Sequence, residues 1–302
     1  MSSGDRGSSD WVRYWRAGSG ALGAVEAMHA HFQSHVYHRH SHDTYSFGVT
    51  DRGAQAFTCR GGAHVSAANM VMTFNPDDPH DGHAATTPGF TYRMIHIDPA
   101  LVVELLAEAN DRGVGAARPA GRPLFPTPVV TDVPLARRLR LLHSVLTGPS
   151  TPLEQHEHLA ATVRLLAGHA SRRPAEATPP ASALIANRVR ARLHDEFSAL
   201  LTATDLAEAA GCSRFAATRA FTAVYGLAPS DYQRQLRLRA ARTLLSTGTS
   251  PADTAAAVGF ADQAHLTRTF RAAFGMTPGR YVKLCAARAG DGAARPAVPA
   301  MP

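Results

Sequence analysis

Ten of the 16 histidines in this 302-residue chain lie between His29 and His96, and His38, His40 and His42 alternate along one short segment. Alternate residues of a β-strand face the same side, so three imidazoles would meet there. Such a cluster suits one of three chemistries: ligating a transition metal, hydrogen-bonding a polar small molecule, or bracing a core. Nothing else in the sequence suggests catalysis. There is no phosphate-cradling glycine loop with lysine, no nucleophile elbow and no paired carboxylates in a recognisable setting. Glu154, Glu157 and His158 stand at helical spacing and read as a solvated face. Cys59, Cys212 and Cys285 are odd in number and scattered, which suggests neither a disulfide framework nor a zinc module.

The elements that must position the histidines are short strands. Runs at 25–32, 44–50, 55–59, 69–74 and 90–97, separated by Gly, Pro, Asn and Asp turns, predict an antiparallel barrel or jelly roll. Helical patterns follow at 99–110, 134–146 and 153–170. The segment 171–180 has no apolar periodicity and reads as a linker, and 286–302 as a disordered tail.

Between the linker and the tail a pattern occurs twice. Phe221, Gly226, Pro229 and Tyr232 return as Phe270, Gly275, Pro278 and Tyr281 at an offset of 49 residues, and the upstream Gly211 returns as Gly259 at 48. Each copy reads as a short helix, a turn at the glycine and a second helix, which is the helix-turn-helix arrangement. The sequence supplies the caps: Thr202 with Asp205, Ser213, Ser250 followed by Pro251, and Asp262. The second helices should run over 214–224 and 263–273. Residues 229–246 carry Tyr232, Leu236, Leu238, Ala241, Leu244 and Leu245 on one side, which predicts a long amphipathic linker helix with Arg237 and Arg239 on exposed faces. Residues 182–285 hold 13 Lys and Arg against 7 Asp and Glu, a net +6 out of the chain's +7. The asymmetry suits one domain that neutralises phosphates beside one that does not.

The stretch Gly259-Phe260-Ala261-Asp262-Gln263-Ala264-His265-Leu266-Thr267-Arg268-Thr269-Phe270-Arg271, followed by Phe274-Gly275-Met276-Thr277-Pro278 and Tyr281, resembles the C-terminal signature of the AraC/XylS family of bacterial transcription regulators. A weaker resemblance to the family's cupin-like effector-binding barrel rests on His40-Ser41-His42-Asp43-Thr44-Tyr45, Gly53, Asn75-Pro76-Asp77-Asp78-Pro79-His80 and Tyr92-Arg93-Met94. The resemblance implies an α+β chain: a cupin-like antiparallel barrel with helices over 11–170, a linker over 171–183, and an all-α DNA-binding domain with two helix-turn-helix motifs over 184–285. By the same resemblance Arg214, Phe215, Thr218 and Arg219 on one recognition helix, and Gln263, His265 and Arg268 on the other, face double-stranded DNA. His40, His42, Tyr45, His80 and Arg93 are expected to line a pocket for a small polar effector.

The resemblance also brings His80 opposite His40 and His42, which raises the alternative of a metal-dependent sensor or cupin enzyme. Metal-binding cupins place a glutamate four or five residues after the second histidine, and here those positions are Ser46 and Phe47. The expectation is therefore no metal, no cofactor and no enzyme activity, but a regulator of transcription. Further expectations are an activator acting as a homodimer through the helices of 134–170, with RNA polymerase as a further partner. With 45% hydrophobic residues, no apolar stretch long enough to span a bilayer and a polar start, a cytoplasmic protein is expected, with no membrane partner.

Overall fold

The computed structural model describes residues 10–16, 25–111, 122–171 and 181–291. The first half contains nine strands: β1 (Trp11–Arg16), β2 (Val25–Phe32), β3 (Tyr37–His40), β4 (Tyr45–Cys59), β5 (Gly62–Ala67), β6 (Val71–Phe74), β7 (His80–Ala84), β8 (Phe90–Ile97) and β9 (Val129–Val130). All pair antiparallel, in the order β1-β2-β8-β4-β6-β9, with β5 and β7 on the far half of β4 and β3 on β7. The strands expected at 44–50 and 55–59 are two halves of the single strand β4. Its first half pairs with β6 and β8, its second with β5 and β7. The turn-like Asp51-Arg52-Gly53 between them is a register shift that bends the strand without ending it. Gly53 makes the bend possible: its φ is +69°, and a Cβ there would stand 2.0 Å from the Gly89 carbonyl oxygen.

The strand period of two sorts side chains onto two faces. Val25, Ala27, Tyr45, Phe47, Val49, Ile95 and Ile97 point to one side, where α1 (Pro99–Asp111), α2 (Val133–Thr147) and α3 (Pro152–Leu166) cover them with Leu105, Leu139, Leu142, Leu159 and Val163. Asp132 caps α2 by accepting from the Leu135 amide, and Thr151 with Glu154 forms a capping box on α3; such caps contribute about 1 kcal/mol each. Met28, Ala30, Phe32, Met72, Phe74, Tyr92 and Met94 point to the other side.

The second half is helical: α4 (Ala181–Asp195), α5 (Ala203–Ala210), α6 (Arg214–Tyr225), α7 (Pro229–Ser246), α8 (Pro251–Ala257), α9 (Gln263–Phe274) and α10 (Pro278–Asp291). The expected caps are in place at Thr202, Ser213, Ser250 and Asp262, each accepting from an amide three residues on. The first helix-turn-helix, α5 and α6, closes its own core with α4 and α7 around Leu193, Leu206, Phe221 and Tyr232. The second, α8 and α9, does not. Its core of Leu245, Val258, Phe260, Leu266 and Phe270 is continuous with the inner face of the sheets. Helix α10 runs to Asp291, so residues 286–291 are helical where a disordered tail is expected; the rest of that tail, and residues 172–180 of the expected linker, lie outside the described residues.

Candidate functional site

The inner face of the sheets forms a pocket lined by Tyr37, Gln55, Phe57, Met72, Phe74, Tyr92 and Met94, with His40, His42, His80 and His96 at one end. His40 and His80 stand directly opposite each other across the β3–β7 pair, and their ring centroids are 4.4 Å apart. His42 follows in the loop after β3, 5.0 Å from His40 and 5.2 Å from His80. His96 arrives from β8, 4.8 Å from His42, where its Nδ1 meets the Ser46 hydroxyl at 2.8 Å. His80 also stacks on Phe74 at 4.1 Å. The expected alternation of three histidines on one face does not hold. The β3–β7 register breaks between Tyr37 and His40, which turns His40 inward and leaves His38 exposed.

Burial decides the charge of this cluster. Removal from water disfavours imidazolium, and it pulls His40 down to about 3 and His80 and His96 to about 4. Burial, reinforced by the neighbouring His96, also takes His42 well below the ordinary histidine value. The four rings are therefore neutral near pH 7. Two backbone carbonyls then fix the tautomers. His40 Nδ1 donates to the His38 carbonyl at 2.7 Å and His80 Nδ1 donates to the Asp78 carbonyl at 2.9 Å, so Nε2 of each carries a lone pair.

Tyr45 and Arg93, grouped with these histidines from the sequence, lie on the opposite face. Tyr45 packs on Phe47 and Phe125 and donates its hydroxyl to the Pro123 carbonyl at 2.6 Å. Arg93 and Arg140 each donate to Asp51 at 2.8 Å, and Arg93 donates to His143 Nδ1 at 3.2 Å while His143 Nε2 donates to the Met28 carbonyl. Burial acts to raise the Asp51 carboxyl, but the hydrogen bonds and charges of the two arginines outweigh it and hold Asp51 below its usual value. The reason for the misassignment is parity: Ser46 pairs with His96, so 46, 92, 94 and 96 face the pocket, and 45 and 93 cannot. The same parity would have identified Tyr92, Met94 and His96, which sequence reasoning missed. Tyr37 and Tyr92, hydroxyl to hydroxyl at 3.1 Å, complete a lining more apolar than a pocket for a polar effector needs.

The wall of the pocket facing the helical domain is Ala273 and Phe274, the end of α9. Around this wall polar side chains join the two halves. Ser41, between the two pocket histidines, donates its amide and its hydroxyl to Gln235 Oε1 of α7 at 3.0 and 2.8 Å. Asp77 accepts from Arg190 at 3.2 Å and Arg239 at 3.5 Å, Glu26 pairs with Arg242, and Arg39 donates to the Gly226 carbonyl at the end of α6. Arg239 thus serves the domain junction, and Arg237 donates to the carbonyls of Phe197, Ala199 and Gly259. Neither is the exposed arginine that helical spacing suggested, because both carbonyl-rich turns and acidic loops reach over that side of α7.

On α6, Arg214, Phe215, Thr218 and Arg219 are exposed on one face, with Phe215 at 73%. Phe221 on the opposite face is fully buried. On α9, Gln263 and Arg268 are exposed and His265 is half-buried with its ring edge-on to Phe260 at 5.1 Å. Phe270 is again buried. A solvent-exposed phenylalanine flanked by arginines on a capped helix is a surface awaiting a partner, and α6 carries one. None of the described helices is long and apolar enough to cross a membrane.

Residues 22–163 match the family model for the AraC-like ligand binding domain, and 206–284 match a helix-turn-helix domain model. Among curated proteins the chain is 26% identical over 227 residues to YbfI, an HTH-type transcriptional regulator of Bacillus subtilis, covering 75% of this chain and 80% of that one. Over 96 residues, 32% of this chain and 28% of the relative, it is 41% identical to the transcriptional activator NphR of a Rhodococcus species. Among solved structures it superposes on unsaturated fatty acid bound ToxT from Vibrio cholerae with a TM-score of 0.52 at 10% identity, over 92% of this chain and 97% of that one. With an AraC-like ligand binding domain followed by a helix-turn-helix domain, which together match most of its length, the chain belongs to the AraC/XylS family of DNA-binding, effector-controlled transcription regulators.

Proposed function

We propose that the effector enters the inner pocket at the His40, His42 and His80 end, and that its entry is read directly by the second recognition helix. The observation that carries this is the wall formed by Ala273 and Phe274 of α9. The room left inside for a water-sized sphere is about 40 Å³, whereas pockets that hold organic ligands run to about 300–1,000 Å³. An organic effector therefore displaces part of the lining, and the wall made by α9 is the part that belongs to another domain. The mixture of Tyr, Phe and Met with neutral imidazoles at one end suits a molecule with an apolar body and one hydrogen-bonding head. The unsaturated fatty acid bound to ToxT is a molecule of that description.

Base readout is assigned to Phe215, Thr218, Arg219, Gln263, His265 and Arg268, with Arg214 of α6 and Arg271 of α9 on phosphate. The 18-residue helix α7 is about 27 Å long at ~1.5 Å per residue, near the ~34 Å helical repeat of DNA. One chain thus reaches two successive major grooves. The protein acts as a homodimer through α2 and α3, which expose Leu141, Leu153 and Leu165, and as a cytoplasmic activator that contacts RNA polymerase from its promoter site. The assay is fluorescence anisotropy on DNA selected from a random pool, with a panel of aliphatic and aromatic carboxylates as effector probes. A dose-dependent change in DNA affinity, lost in His40→Ala and His80→Ala with DNA binding retained, is expected. A normal dose response in both variants removes the pocket assignment.

A further inference from the structure

The tautomers of His40 and His80 leave each ring with one unprotonated nitrogen, and both rings line the same pocket. Each Nδ1 proton is committed to a backbone carbonyl, and a carbonyl can only accept. Donation of the second ring nitrogen's partner proton to a backbone carbonyl is the arrangement that orients histidines around metal ions. His42 joins them: one ring nitrogen of each of His40, His42 and His80 lies within 4.8 Å of the other two. Three imidazoles with ligand nitrogens this close together are a donor set for a divalent first-row transition ion, with zinc the default for such ligands.

The missing carboxylate does not remove this reading once the register is known. Position 46, where the sequence has serine, faces the same space, and its cross-strand partner is His96. Ser46 is small and hydrogen-bonds that imidazole at 2.8 Å, so a fourth nitrogen base from β8 occupies the side from which a carboxylate on β4 would have come. The free space of about 40 Å³ is too small for an organic ligand and large enough for an ion with a water. Nitrogens around a tetrahedral ion at ~2.0 Å stand about 3.3 Å apart, so the triad tightens when it binds. His42 is the ligand that closes the gap, by turning its ring, because that ring is not held to a backbone carbonyl as those of His40 and His80 are.

We propose that His40, His42 and His80 bind one divalent transition-metal ion of the zinc class, leaving an open coordination position toward the Tyr37 and Tyr92 side of the pocket for an oxygen donor of the effector. The effector's part in this rests on the pocket reading above; the ion's binding does not. Because Ser41 between the ligands is held by Gln235 of α7, closing His42 onto an ion pulls on the helix that joins the two DNA-reading units.

The test uses untagged full-length protein stripped with chelator and titrated with zinc chloride alone by calorimetry, then with cobalt chloride, whose visible absorption reports nitrogen ligation at low coordination number. One ion per chain is expected. Loss of an outer partner of a metal site costs about 10–100-fold in affinity, so His40→Ala, His80→Ala and the volume-preserving His42→Gln should each lose about 100-fold or more. His38→Ala, exposed and two residues away, should bind as the native chain does. Circular dichroism and DNA binding report folding, and His42→Gln carries the test if a β-strand variant fails to fold. Absence of a stoichiometric site, or equal affinity in native protein and His42→Gln, overturns the proposal. Either result leaves the effector assay on carboxylates to stand or fall separately.

Discussion

At the scale of single residues, the two candidate surfaces predict opposite kinds of loss. Arg219 and Arg268 are exposed, so replacing them leaves stability unchanged. If they read guanine, Arg219→Ala and Arg268→Ala each cost about 1–3 kcal/mol on selected DNA and relax preference at particular positions; equal losses on selected and random DNA would assign them to phosphate instead. The buried histidines act on stability. His80, His96 and His143 are each more than nine-tenths buried, and burial lowers each to about 4. The unfolded chain takes up their protons below about pH 6.5, before the folded one does, so stability is fully present above that value and falls as pH drops toward 4. The unfolding free energy is expected to decline through this window at up to about 1.4 kcal/mol per pH unit for each histidine, with the thermal midpoint falling alongside it, and the slope to flatten in His143→Gln. A flat profile between pH 6.5 and 4 would mean that these rings are not held neutral.

The elements show where the sequence was legible. Caps and the glycine turns of both helix-turn-helix units are local chemistry, and Thr202, Ser213, Ser250 and Asp262 stand where spacing put them. Recognition helices α6 and α9 end one residue beyond the sequence boundary at Tyr225 and Phe274, which is ordinary fraying of the definition. Strand partners are not local. Nothing near Tyr45 or Arg93 says which face each takes; only the register of β4 with β8 does. The same holds for Arg237, whose three carbonyl acceptors come from the α4–α5 loop and from Gly259. Arg237→Ala is therefore expected to destabilise the helical domain by about 1–3 kcal/mol and to leave the salt dependence of DNA binding unchanged, measured by urea unfolding and by anisotropy against salt. Gly259→Ala should be harsher. Its φ of +81° and a Cβ position 2.0 Å from the Ser198 carbonyl oxygen leave no room, whereas Gly248, at +92° with open space around it, should lose only the ~1–2 kcal/mol of a left-handed backbone.

For the whole molecule, the decisive fact is that the second helix-turn-helix has no separate core. Phe270, Met276 and Tyr281 pack with Val12, Phe32 and Met94 of the sheets, so a fragment of 184–285 that binds DNA without effector would have to expose that surface. The junction is also held by Asp77 with Arg190 and Arg239 and by Ser41 with Gln235. If the effector acts by opening this junction, Asp77→Ala with Gln235→Ala should reproduce its effect on DNA affinity without ligand. The remaining response should shrink by the same amount, within the 5–150-fold span usual for such coupling. Unchanged basal affinity in the double variant would place control elsewhere, at the proposed dimer contact of α2 and α3.

Phe274 belongs at once to α9, the proposed second recognition helix, and to the wall of the pocket, so if the effector is read through α9, operator and effector bind to coupled sites. Free-energy linkage requires that whatever factor the effector applies to the operator's dissociation constant, the operator applies to the effector's. The sensitivity of the regulator is then not a fixed property of its pocket. It varies from one binding site to the next across a genome, since a sequence that holds α9 more firmly tunes the concentration at which the small molecule is sensed.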